Sequence, residues 1–289
     1  MATWSAPGKV FLFGEHAVVY GKPGIAMAIK PRVYVTVRKG RRTSEMKSAY
    51  LRECFRQMDV KGSVYIRSQL TSASGLGSSA AVTIATLSAI NDEFGLSKSK
   101  EEIARAGFEI EKKVQMGLAS PTDTYVSTFG GLVLVSQDSR RRLPPMNLPI
   151  LIGNTGVPHN TGQMVSRVRD MMRDHPGIAR PLIDAIEAIT MEALHSLEDL
   201  RKVGWLMDVN HAILDALGVG HPSLTRLVVA ARAAGAFGAK LTGAGGGGCM
   251  IAICPPRLKN RVAGVISACD AAATITTVDT DGARKERNG

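Results

Sequence analysis

The sequence predicts an α+β fold in which β-sheets are covered by helices. The string VYVTV at residues 33–37 places valines two positions apart, as in a half-buried strand. Residues 80–94 are apolar or small at nearly every position, which predicts a buried helix that ends at Gly95. The run CMIAIC at 249–254 is short and wholly apolar, as expected of a central strand. The chain of 289 residues is long enough for two modest domains or one large one.

The first half of the chain opens with strands separated by a glycine turn. Ser99 and Glu102 form a capping-box pattern ahead of a helix that reaches about Gln115. Glu111 lies about 80° from the apolar stripe of this helix, at 100° per residue. We therefore expect its carboxylate at the edge of the buried face, where it can point into a cleft. Predicted strands occupy residues 10–13, 25–29, 33–37 and 64–66.

Strands and helices interleave in the second half, which predicts a sheet covered on one face. The charged, proline-rich tract at 139–149 marks a domain boundary. Beyond it we expect a strand at 150–152, three helical stretches between 181 and 234, strands at 239–241 and 249–254, a helix at 258–268 and a strand at 274–278. The last residues, 283–289, are expected to fray.

The net charge of +11 is unevenly distributed, with the excess in the first half. Much of it falls in two clusters, Arg38, Lys39, Arg41, Arg42 and Lys47, and Arg140, Arg141 and Arg142. Such a bias favours anionic ligands, and a solvated basic surface is the alternative. The four cysteines lack the spacing of a zinc site, so we expect reduced, buried thiols.

The chain carries no pattern that predicts export or membrane insertion. Its first residues lack a charged leader and a cleavage signature, and no stretch approaches the roughly 18 to 20 apolar residues that span a bilayer. We expect a cytoplasmic protein.

Three segments combine glycines with polar residues. In SASGLGSSAAV at 72–82, Gly75 and Gly77 permit close backbone approach to phosphate, and a helix that starts near Ser78 or Ser79 supplies amide donors. A tight turn before a core helix is the alternative. The run KLTGAGGGGCM at 240–250 indicates a close-packed main chain, a ligand that lies directly against the backbone, or a flexible hairpin. In APGKVFLFGEHAVVYG at 6–21, polar residues surround one tight turn.

In this order, the segments resemble the three signature motifs of the GHMP kinases. GEHAVVYG, GLGSSAAV, SPTDTYVSTFGG at 120–131 and TGAGGGG look most like the archaeal-type mevalonate kinase branch of that family. The resemblance covers essentially residues 4–280. It implies a two-domain α+β fold, with an N-terminal α+β domain at 1–145, a ferredoxin-like C-terminal domain at 146–289 and an active site in the cleft between them.

The resemblance also implies an activity. We expect ATP-dependent phosphorylation of the 5-hydroxyl of mevalonate, a step of isoprenoid biosynthesis, with magnesium as cofactor. Phosphomevalonate or homoserine kinase activity is the nearest alternative, and a related decarboxylase, a silent nucleotide-binding regulator and a nucleic-acid binder are more distant ones. The expected partner is mevalonate, and we expect binding to neither nucleic acid nor membrane. A homodimer is possible.

Residue roles follow where the motifs match. Asp123 resembles the catalytic carboxylate near the acceptor hydroxyl, and Lys9 resembles the cation that polarises that hydroxyl and the transferred phosphate. Ser79 and Glu111 match the magnesium ligands. The remaining matches are Glu15, His16 and Thr161 for the acceptor, and Ser74, Gly75, Leu76, Gly77, Ser78, Ser79 and Ala80 for ATP.

Overall fold

Two antiparallel β-sheets and the helices packed on them make up the part of the chain that the structure describes. The computed structural model describes residues 1–40, 48–70, 75–117, 119–137, 139–158 and 160–287. Within these ranges the strands are β1 (Ala2–Phe13), β2 (Gly24–Lys39), β3 (Gly62–Ser68), β4 (Leu132–Val135), β5 (Arg140–Arg142), β6 (Ile150–Asn154), β7 (Gly238–Thr242), β8 (Cys249–Ile253), β9 (Ala272–Thr276) and β10 (Arg284–Lys285). The helices there are α1 (Ala49–Gln57), α2 (Ser78–Phe94), α3 (Lys100–Val114), α4 (Pro121–Phe129), α5 (Thr161–Asp174), α6 (Pro176–Leu194), α7 (Leu200–Ala216), α8 (Pro222–Ala233) and α9 (Lys259–Ser267).

The first sheet has the order β10-β1-β2-β4-β5, and β3 also pairs with β2. Helix α2 lies against β1 and β2, and it is buried through most of its length because its side chains are small or apolar. Helices α1, α3 and α4 pack around α2. This arrangement brings the N-terminus of α2 close to β1. There the Lys9 amide donates a hydrogen bond to the Leu76 carbonyl, in the glycine-rich segment that precedes the helix.

The second sheet has the order β7-β8-β6-β9, and its neighbouring strands are antiparallel. In chain order, β6 is followed by helices, then by β7, β8, α9 and β9. This connectivity and strand order are those of a ferredoxin-like sheet, which confirms the fold predicted for the second half. The boundary near residue 145 stays a prediction.

Several elements confirm the sequence analysis closely. Helix α2 ends at Gly95, whose φ of 66° is left-handed. Helix α3 has the complete capping box, in which Ser99 accepts from the Glu102 amide and Glu102 accepts from the Ser99 amide. The three helical stretches expected before Ala234 are α6, α7 and α8. Cys54, Cys249 and Cys254 are buried, Cys269 is partly buried, and none of these four described cysteines forms a disulfide bond.

Other sequence predictions were wrong. The strands expected at 25–29 and 33–37 form one long strand, β2, which continues through Pro31 because β1 shifts register at Pro7 and Gly8 opposite it. The end of the chain was expected to fray, but Arg284 and Lys285 pair with Ser5 and Trp4 on the free edge of β1. Helices α1, α4 and α5 were not predicted, since their patterns are short or mixed with loop residues.

The first basic cluster lies partly outside the described residues, because Arg41, Arg42 and Lys47 are not among them. Arg38 and Lys39 end β2, and Arg140, Arg141 and Arg142 form β5 at the edge of the first sheet. Among the described helices, none is long and apolar enough to cross a bilayer.

The capping box of α3 stabilises the helix that carries Glu111. We expect Ser99→Ala to lower the free energy of unfolding by about 1 kcal/mol, because the Glu102 amide loses its side-chain acceptor. Urea unfolding followed by circular dichroism measures this change. Ser267→Ala, at the exposed last residue of α9, is the control and should stay within about 0.5 kcal/mol. Equal effects of the two substitutions would contradict a contribution from the cap.

Candidate active site

A cavity of about 480 Å³ opens between the two sheets. Its volume is in the range of small-molecule sites. Residues from both halves of the chain line it: Lys9, Phe11, Glu15, His16, Val18, Val19, Tyr50, Gly75, Gly77, Ser78, Ser79, Glu111, Gln115, Ser120, Asp123, Thr161, Val165, Gly243 and Ala244. The cavity therefore gathers residues from all three glycine-rich segments.

The N-terminus of α2 forms one wall of the cavity. Gly77 is the N-cap residue, with a left-handed φ of 70°, and Ser78 and Ser79 begin the helix. The first amides of a helix have no intrahelical acceptor, and the helix dipole adds positive potential there. A Cβ on Gly77 would lie 2.8 Å from Cγ of Lys9, so glycine is needed for the loop to pass this close to β1. The wall is suited to bind phosphate oxygens.

Lys9 and Asp123 meet beside this helix terminus. The Lys9 ammonium lies 3.1 Å from a carboxylate oxygen of Asp123. The Lys9 backbone is fixed by a 2.9 Å hydrogen bond from its amide to the Leu76 carbonyl, and its ammonium lies over the Phe11 ring. Asp123 occupies the first turn of α4, a helix that begins after the Ser120 cap. A buried cation and a partly exposed carboxylate thus face the cavity as a pair.

Glu111 is more deeply buried than the sequence predicted, with 2% of its surface exposed. The edge position expected from helical periodicity becomes interior because α2 and α4 both pack against α3. Ser79 and Thr83 each donate a 2.8 Å hydrogen bond to the Glu111 carboxylate, and Gln115 donates a third. Burial is the largest cause that raises the pKa of Glu111 to about 7, and the Asp123 carboxylate acts in the same direction.

The chemistry of this donor set fits a magnesium ion. Magnesium prefers oxygen ligands, and it is commonly held by one or two carboxylates together with substrate phosphates. Ser79 and Glu111 place a hydroxyl and a carboxylate side by side at the N-terminus of α2, on the wall that is suited to bind phosphate. Within the described ranges, no cluster of three or more His, Cys, Asp or Glu side chains could hold a metal by itself. Phosphate oxygens would have to complete the coordination.

The turn after β1 forms the opposite wall. Glu15 pairs with Lys240 of β7, and both side chains are buried. His16 has the unusual backbone angles φ 63° and ψ −41°, and its Nε2 lies 2.9 Å from the Ala244 carbonyl oxygen. Burial raises the pKa of Glu15 and lowers the pKa of His16 and of Lys240. Strained conformations of this kind persist where the surrounding structure holds them, often at functional sites.

The second glycine run is a close-packed main chain, one of the alternatives that the sequence left open. A Cβ on Gly245 would lie 2.0 Å from the Val219 carbonyl, and one on Gly246 would lie 2.7 Å from Sδ of Met164. Gly243 lies against Gly75, so the glycine-rich segments at 72–82 and 240–250 meet at the cavity. Glycine is required here for packing, and the loop also reaches the site.

Most of the site residues predicted from sequence line the cavity. These are Lys9, Glu15, His16, Gly75, Gly77, Ser78, Ser79, Glu111, Asp123 and Thr161. Leu76 and Ala80 are buried beside it, where Leu76 contributes the carbonyl that holds Lys9. Thr161 is the first residue of α5, which follows the Asn160 cap. Ser74 lies outside the described residues. The role assigned to each residue stays a prediction.

Sequence reasoning missed five polar groups at or behind the cavity. Thr83 and Gln115 bind Glu111, and Tyr50 lines the cavity near it. Lys240 pairs with Glu15 in the turn after β1, and Thr242 binds the Phe11 backbone within β1. Two of them could have been found from the sequence by their spacing. Thr83 lies four residues after Ser79, and Gln115 lies four residues after Glu111, which places each pair on one helix face. Tyr50, Lys240 and Thr242 come from elements whose neighbours in space are distant in sequence.

Comparison with known proteins finds relatives along nearly the whole chain. The family model described as GHMP kinases N terminal domain matches residues 44–131, and the model described as GHMP kinases C terminal matches residues 190–270. The mevalonate kinase of Pyrococcus horikoshii is 40% identical, with 98% of this chain and 97% of the relative covered.

Solved structures of mevalonate kinases are similar over nearly the whole chain. The mevalonate kinase of Methanococcus jannaschii is similar with a TM-score of 0.85 at 26% identity, covering 96% of this chain and 98% of that one. The L. major mevalonate kinase in complex with R-mevalonate has a TM-score of 0.86 at 24% identity, covering 96% and 95%, which shows a shared fold.

The raised pKa of Glu111 predicts a pH-dependent stability in the absence of nucleotide and metal. Between pH 4.5 and 7 the unfolded chain loses this proton while the folded chain keeps it, so folding stability falls as pH rises. Glu111→Gln removes this contribution. We therefore expect the melting temperature of Glu111→Gln, relative to wild type, to be higher at pH 8 than at pH 5. Thermal melts in EDTA measure this difference, and parallel pH profiles of the two proteins would contradict the assignment.

Proposed function

The chain belongs to the GHMP kinase family, and we propose that it transfers the terminal phosphoryl group of ATP to the 5-hydroxyl of mevalonate. The products are 5-phosphomevalonate and ADP. One observation carries the proposal: the Lys9–Asp123 pair lies in the same cavity as the N-terminus of α2. The identity of 40% to a mevalonate kinase over nearly the full length supports the choice of acceptor.

Phosphoryl transfer depends mainly on positioning and on neutralising charge around the moving group. In the proposed reaction, the free amides at the start of α2 bind the phosphates of ATP, and Gly75 and Gly77 let the chain approach them. The Lys9 ammonium contacts the transferred phosphoryl group and the acceptor oxygen. Its burial strengthens this attraction, because a low dielectric weakens screening.

Asp123 accepts the proton of the acceptor hydroxyl. The acceptor oxygen forms a bond to the terminal phosphorus, the bond from that phosphorus to the bridging oxygen breaks, and ADP leaves with the bond's electrons. Lys9 holds the Asp123 carboxylate in place through the 3.1 Å contact. Proton transfer to a positioned group of this kind contributes roughly 10²- to 10⁴-fold in rate.

Magnesium is part of the proposal, with the Ser79 hydroxyl and the Glu111 carboxylate as its protein ligands. When bound, the ion neutralises phosphate charge. Thr83 and Gln115 orient the Glu111 carboxylate through hydrogen bonds, and burial excludes water from it. A homodimer and a cytoplasmic location stay predictions.

The described lining favours mevalonate over an acceptor that already carries a phosphate. It contains three carboxylates, Glu15, Glu111 and Asp123, and a single lysine, Lys9. A phosphate on the acceptor would add negative charge beside these carboxylates, and the described lining has no second lysine or arginine to pair with it. Phe11, Val18, Val19 and Val165 give the cavity an apolar wall that suits the methyl-bearing carbon chain of mevalonate.

A panel of acceptors tests the proposal. We expect coupled ADP release with mevalonate and no turnover above background with phosphomevalonate, homoserine or galactose. Carbon dioxide is measured in parallel, because a decarboxylase would release it together with ADP. Turnover of another acceptor in preference to mevalonate would overturn the proposed function.

The role of Asp123 is tested by Asp123→Asn, which keeps the size of the side chain and removes the proton acceptor. We expect kcat to fall roughly 10²- to 10⁴-fold, with ATP affinity within about threefold of wild type. Asp184→Asn, at an exposed carboxylate that contacts Lys22, is the matched control and should keep full activity. If Asp123→Asn keeps wild-type kcat, Asp123 is not the proton acceptor.

A further inference from the structure

The buried lysine of β7 forms an ion pair at the back of the cavity. Lys240 is fully buried and donates to one carboxylate oxygen of Glu15, and it also donates a 2.8 Å hydrogen bond to the Leu241 carbonyl. Glu15 lines the cavity, whereas Lys240 lies behind it. Removing two charges from water is costly, and such pairs add little net stability. Stability alone therefore does not explain the pair.

The two oxygens of the Glu15 carboxylate are in different environments. Oε1 accepts from Lys240, whereas Oε2 is buried and has no hydrogen-bond partner among the described residues. A buried oxygen without a partner is costly, and native proteins rarely leave one unsatisfied. Because Glu15 lines the cavity, a ligand hydroxyl that enters it can supply the missing donor.

The same face of β7 makes a second contact with the first half of the chain. Side chains two residues apart on a strand point to the same side, so Thr242 follows Lys240 on this face. The Thr242 hydroxyl accepts from the Phe11 amide and donates to the Phe11 carbonyl, both at 2.9 Å. Just beyond the strand, the Ala244 carbonyl contacts His16. Residues 240, 242 and 244 thus hold β1 and the turn that follows it.

We propose that Lys240 is a positioning residue for the acceptor, which holds Glu15 so that its second oxygen accepts a hydrogen bond from an acceptor hydroxyl. This proposal rests on the proposed function and adds a residue from the opposite half of the chain to it. Lys240 acts through Glu15 and does not touch the acceptor. Its loss should therefore weaken acceptor binding and leave ATP binding intact.

The test measures KM for both substrates in Lys240→Met, which keeps the length of the side chain and removes its charge. We expect KM for mevalonate to rise about 10- to 100-fold, as for the loss of a hydrogen bond to a charged group, with kcat and KM for ATP within about threefold. Lys22→Met is the matched control, since Lys22 also joins the two halves through Asp184 and Glu187 but lies outside the cavity lining. Its kinetic constants should stay at the wild-type values.

A second variant separates positioning from structural damage and serves if Lys240→Met fails to fold. The double variant Glu15→Gln/Lys240→Met removes both charges, and a buried ion pair replaced by neutral groups is often tolerated. Its KM for mevalonate should match that of Glu15→Gln alone, because Lys240 acts through Glu15.

Three results would overturn the proposal: a rise in KM for mevalonate of less than tenfold in Lys240→Met, an equal rise in KM for ATP, or a double variant whose KM is the product of the two single effects. Wild-type enzyme that does not phosphorylate mevalonate would instead overturn the proposed function. The two failures are therefore distinguishable.

Discussion

The contact between β1 and β7 is the constraint on which the site depends. One hydrophobic cluster joins the first sheet to β6, β8 and α7, a second cluster lies largely in the second half, and the cavity exists because the sheets are held at one relative position. Next to the cavity, that position is fixed where Thr242 binds the Phe11 backbone and Lys240 pairs with Glu15. Buried polar contacts of this kind require a defined geometry, since an unpaired charge or amide in the interior is costly.

From this contact, β1 and the turn that follows it reach both sides of the proposed reaction. Lys9 lies two residues before Phe11 on β1, and Glu15 lies four residues after it, in the turn. The strand carries the cation proposed for the phosphoryl group, and the turn carries the carboxylate proposed for the acceptor. Because β1 pairs with β2 from Lys9 to Phe13, Lys9 and the start of the turn are held on a rigid element.

Charge in the cavity is divided between separate partners. Asp123 pairs with Lys9, Glu15 pairs with Lys240, and Glu111 is held by neutral hydroxyl and amide donors. Glu111 is therefore the carboxylate whose pKa burial raises to about 7. A carboxylate in that state is suited to a cation that arrives with the phosphates, because the cation favours the ionised form.

The sequence by itself determined the local features: α2 with its glycine N-terminus and Gly95 end, the α3 capping box, and the apolar strand β8. These depend on neighbours in the chain, and the motifs also marked most of the residues that line the cavity. Only the tertiary structure decided that Glu111 is interior, that residues 284 and 285 extend the first sheet, and that Lys240 stands behind Glu15. Periodicity assigns a residue to one face of its own element, but burial and pairing depend on what packs there, and those partners lie up to 281 residues away in sequence.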